Sequence, residues 1–97
     1  MGAYKKLWNN EIILMNNRKV LSQQLATKKR LEEDLKEAEK KQGNWDEEKE
    51  LKKKLADQTN EIEGNKELKK VGTKQRIEVL EVSIRNLHLE IESIKQL

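Results

Sequence analysis

Between Ile77 and Leu97 the chain repeats Ile77, Leu80, Ile84, Leu87, Ile91 and Ile94 in alternating steps of three and four. At 3.6 residues per turn that spacing gathers all six on one narrow stripe of an α-helix. Isoleucine opens each of the three heptads and leucine takes the fourth place of the first two, a choice that favours two parallel strands. Such a stripe is buried only by another helix. The predicted fold class is therefore all-α: an elongated coiled coil, read first as a parallel homodimer and open to a higher bundle.

The rest of the chain is poorly suited to a compact core. Only 34% of its 97 residues are apolar and 40% are charged, Phe is absent, and the aromatics are Tyr4, Trp8 and Trp45. A globular core needs large side chains throughout, whereas a coiled coil needs two apolar residues in seven. High charge with low hydrophobicity is also the signature of disorder. Against disorder stand the abundance of Lys, Glu, Leu, Gln and Arg, the absence of proline, and the seam itself.

Upstream the pattern is less regular. Leu7, Leu14 and Leu21 stand seven apart, and Leu25 prolongs their face, which assigns Glu11 and Arg18 to the alternate seam positions. The next leucine, Leu31, comes six residues later, so a register slip is expected before Leu31, Leu35 and Ala38 resume. Gly43 follows the basic turn of Lys40 and Lys41, a helix-stop signal, and Asn44 with Glu47 three residues on resembles a capping box. Leu51, Leu55, Ile62, Leu68 and Val71 mark a weaker central helix interrupted around Gly64 and Gly72.

The expected organisation is a single region. An N-terminal helix covers 1–42, a weaker central helix 45–71 and the zipper 73–97, with breaks near Gly43 and Gly64–Gly72. Without a turn, a continuous helix of 97 residues would be a rod of roughly 145 Å. A turn at either break gives the alternative, an antiparallel helical hairpin.

Two apolar sets fall outside the seams. Trp8, Ile12, Ile13 and Met15 form one, and Ile12-Ile13-Leu14-Met15 is a run of four consecutive apolar residues, more than one helix face can hide in a two-stranded coil. Val79, Val82 and Leu89 form a thinner second stripe on the zipper helix. Both are candidate partner-binding surfaces.

Charge is arranged in blocks behind a net of +3. Residues 1–30 carry +6, 31–65 carry −5, 66–76 carry +4 and 77–97 carry −2. Parallel pairing sets like blocks together, and antiparallel pairing sets the basic start against acidic sequence. The basic start also supports an alternative function, the binding of nucleic acid or anionic membrane through residues 1–30.

Catalytic chemistry finds little footing. There is no cysteine. His88, the single histidine, flanks the seam near Glu92, and Ser83 and Ser93 have no oxyanion hole implied around them. The runs Glu32-Glu33-Asp34 and Asp46-Glu47-Glu48 lack the spacing of a calcium loop. No enzyme, metal or cofactor is expected.

No apolar run spans a bilayer, and no secretory signal follows Met1. Lys6 stands where a myristoylation signal wants Ser or Thr. The expected location is cytoplasmic or nuclear. The expected role is a non-enzymatic structural module for oligomerisation and scaffolding, with itself and other helical proteins as partners, of the kind used in cytoskeletal, centrosomal, chromosomal or membrane-tethering assemblies.

Overall fold

A computed structural model describes residues 2–41, 43 and 45–95. They form three α-helices, α1 (Gly2–Lys40), α2 (Trp45–Glu63) and α3 (Thr73–Lys95), with no strand among them. The molecule measures 71 × 25 × 15 Å, and its radius of gyration of 19.6 Å exceeds the roughly 13 Å of a compact domain of this length.

The long axis is about half the rod length of a continuous helix, because the chain doubles back. α1 lies against both α2 and α3, which follow one another along it. Glu11 meets His88 and Arg18 meets Glu81, so seven residues forward on α1 match seven residues back on α3. In this structure the helix that the Ile/Leu stripe requires comes from the same chain, running in the opposite direction.

Burial on α1 keeps one heptad phase from end to end. Leu7, Leu14, Leu21, Lys28 and Leu35 form one inward line; Asn10, Asn17, Gln24, Leu31 and Ala38 form the other. No slip occurs between Leu25 and Leu31. Leu25 is 45% exposed, and Glu11 and Arg18 lie outside the seam, where they pair with α3. From Leu21 the seam steps three residues to Gln24, not four to Leu25. That step keeps Leu31, Leu35 and Ala38 in phase with Leu14, so the more apolar residue loses to the continuous register.

Gly43 has φ +91°, a left-handed conformation that glycine adopts without penalty, and it lies between α1 and α2. Gln42 and Asn44, on which the expected capping box and seam continuation partly rest, lie outside the described residues, as do Gln96 and Leu97. Asp46, Glu47 and Glu48 fill the first turn of α2, where carboxylates complement the helix dipole. Leu51, Leu55 and Gln58 face inward, and Ile62 is 1% exposed.

α2 stops at Glu63, eight residues short of the expected 71, because Gly64 turns left-handed at φ +80°. A tight turn follows. The Asn65 and Lys70 backbones exchange hydrogen bonds of 2.9 Å each, and Asn65 Oδ1 accepts from the Leu68 amide at 3.2 Å. Leu68 and Val71, expected on the central helix, sit instead on this turn and are exposed.

The joint between α2 and α3 is tied from both sides. The buried Thr73 hydroxyl donates to the Glu61 carbonyl at 3.3 Å, and the Gln75 amide donates to the Glu63 carbonyl, so α3 caps the last turn of α2. Gln75 Oε1 in turn accepts from the Gly72 amide at 2.8 Å. α2 has no basic residue in its own last turn. Lys70 pairs there with Glu61, and Lys74 with Glu63 at 2.6 Å, supplying positive charge at the negative end of the dipole.

Candidate interaction surface

The α1·α3 seam is apolar on one side and mixed on the other. Ile77 and Ile91 are buried with Leu14, Leu80, Ile84 and Leu87 are half-buried, and Ile94 is 58% exposed. α1 turns Asn10, Asn17 and Gln24 toward this stripe. Asn17 Nδ2 donates to the carbonyl of Ile13 on its own helix at 2.8 Å. Gln24 Oε1 is buried and meets no hydrogen-bond partner among the described residues. A buried acceptor without a donor costs about 1–3 kcal/mol, so Gln24→Leu is expected to stabilise the hairpin by about 1 kcal/mol. A higher midpoint in urea denaturation, with unchanged helix content, is the expected readout.

Beside this seam an apolar groove of about 300 Å³ opens between the helices, lined by Ile13, Asn17, Val71, Arg76, Val79 and Leu80. It joins Ile13 and Val79, one from each of the two separately predicted sets. Val71 completes it from the turn. Sequence reasoning missed Val71 by placing it on a helix; Gly72 immediately after it was the available sign that the chain leaves helical geometry there.

The other candidate residues are not gathered into this groove. Trp8 and Met15 are exposed and lie about 150° around α1 from Ile13, on the flank of Glu11 and Arg18. Ile12 is half-buried on the outer side of α1. Val82 and Leu89 are exposed along the outer line of α3. Further along, a second groove of about 290 Å³ is lined by Lys6, Asn10, Ser83, Asn86, Leu87 and Glu90.

Two of the basic groups of the first 30 residues, Arg18 and Arg30, lie beside acidic ones. Arg18 Nη2 lies 3.5 Å from Glu81, and Arg30 shares a groove with Asp34, Lys54, Asp57 and Glu61. His88 Nε2 is exposed, 3.8 Å from the Glu11 carboxylate. Among the described residues no cluster of three or more His, Asp or Glu is placed to hold a metal ion, and no helix is long and apolar enough to cross a membrane.

Comparison with protein-family models, with curated proteins and with solved structures gives no match to this chain. The functional reading therefore rests on the surfaces themselves. An exposed apolar groove flanked by charged residues can bury part of another helix.

Proposed function

We propose that this chain is a non-enzymatic coiled-coil module that associates with itself and with helices of other proteins, acting as a structural spacer in an assembly of the cytoplasm or nucleus. One observation carries the reading: after the hairpin closes, Ile13, Val71, Val79, Val82 and Leu89 still face outward. Singly, exposed apolar residues need no explanation, but three of these converge on one groove and two continue along the adjoining helix. Helical partners suit it, because an amphipathic helix presents its own apolar stripe at the matching spacing.

Two measurements test this. Sedimentation of the purified chain is expected to give masses that rise above 11.5 kDa with concentration. A photocrosslinking amino acid at position 79 is expected to give protein adducts in cells that the same group at exposed position 52 does not. Val82→Lys with Leu89→Lys should remove those adducts and change stability by no more than about 0.5 kcal/mol, since both side chains are already in water. Constant mass at every concentration, together with equal adducts at positions 79 and 52, would overturn the proposal.

A further inference from the structure

We infer that the α3 seam is a second-copy binding surface covered by α1 in the hairpin, and that the chain dimerises when the first half of α1 lifts away and two α3 helices pair in parallel. The inference rests on the self-association proposed above and names its surface and geometry.

The first support is the mismatch across the α1·α3 seam. Where α3 presents Ile and Leu, α1 answers with Asn10, Asn17 and Gln24, and the Gln24 acceptor is left without a donor. Leu80, Ile84 and Leu87, at the levels of Asn17 and Asn10, are only half-covered. A second α3 would replace these mixed layers with Ile against Ile and Leu against Leu, the arrangement that specifies parallel pairs.

The second support is charge. With Ile77 as heptad position a, the flanking g positions hold Arg76, Ser83 and Glu90, and the e positions hold Glu81, His88 and Lys95. In a parallel in-register pair each g residue faces the e residue five positions later on the other helix. Arg76 then meets Glu81 of the second copy, Glu90 meets Lys95, and Ser83 meets His88. Every charged g position finds an opposite charge, and none finds a like one. By contrast, the hairpin leaves Arg76 on an apolar groove beside Ile13 and Val79.

The exchange does not require the α2–α3 joint to open. Leu31 and Ala38 are buried in the α1·α2 half, and the Thr73 and Gln75 caps hold α3 in line with α2. Only α1 residues before about Gln24 need to separate.

The test uses the absence of cysteine in the native chain. Glu11→Cys with His88→Cys places two thiols at an exposed pair across the hairpin, where a short bismaleimide can join α1 to α3 within one molecule and both charge pairs of the parallel dimer are kept. The unlinked variant is expected to reach twice 11.5 kDa as concentration rises, and the linked form to stay at 11.5 kDa. In a separate variant, Leu87→Cys should form a disulfide between two copies on oxidation, because the fourth-position residues of parallel helices face each other. A linked form that still doubles its mass would overturn the inference in favour of closed hairpins docking face to face, leaving the self-association reading intact. An unlinked variant that never exceeds 11.5 kDa would overturn both.

Discussion

Gly72→Ala is expected to destabilise the protein by about 3 kcal/mol or more, the largest effect of any single-methyl addition in the chain. A Cβ at this position would fall onto the Gly64 amide nitrogen and the Ile62 carbonyl oxygen, both of them backbone atoms. Neither can rotate away as a side chain would. Moving them breaks the closure in which Gly64 and Gly72 lie against each other and Gln75 bridges Gly72 to Glu63. Gly64→Ala should act similarly, since its Cβ would approach the Lys70 carbonyl oxygen at 2.8 Å and the Gly72 nitrogen at 2.9 Å, on top of a left-handed φ. Gly43→Ala is the control. It has the same positive φ and open space around it, so backbone strain of about 1 kcal/mol is all it should show. Urea denaturation followed by circular dichroism would rank the three. Equal effects at 43 and 72 would show that the close approach of the two glycines does not hold the joint.

Ile62→Ala is expected to cost about 2–4 kcal/mol, by loss of buried methyl groups and the cavity left behind. Ile62 is 1% exposed, on the last turn of α2, immediately before the joint. Ile94→Ala, by contrast, should cost no more than about 0.5 kcal/mol in the hairpin, because its side chain is largely in water. The same pair reads out the inferred dimer. When two α3 helices pair, Ile94 becomes a seam residue, so Ile94→Ala should weaken dimerisation while leaving the stability of the single hairpin unchanged.

These two isoleucines also show how far the sequence could be read. The helical class and the elongation followed from Ile77 to Ile94, from the missing proline and from the low apolar content. Which isoleucines would be buried did not follow. Ile94 had the stronger pattern around it, yet Ile62, in the weakest stretch, is the most deeply enclosed large side chain. Its burial depends on α1 passing over the joint, a contact between residues far apart in sequence. The polar line of α1 was hidden for a related reason. A search for apolar residues passes over Asn10, Asn17 and Gln24 and selects Leu25, whereas their inward placement is visible only once a second helix sets the phase. On the candidate surface, Ile13 and Val79 were each singled out locally. Their convergence with Val71 was not legible, because it depends on the direction in which the chain folds back and on where α2 stops.

The antiparallel register has a mechanical corollary. Glu11 lies beside His88 and Arg18 beside Glu81, so the register carries Tyr4 to the level of Lys95, and both helix termini emerge at one pole with Gly43 at the other. A tension applied between those termini pulls α1 and α3 apart sideways, loading one layer at a time rather than shearing all layers together. The first layer to part contains Ile94, the most exposed residue of the seam. A hairpin tethered by its two termini would therefore yield at low force from that pole, while the Leu31 and Ala38 end stayed shut.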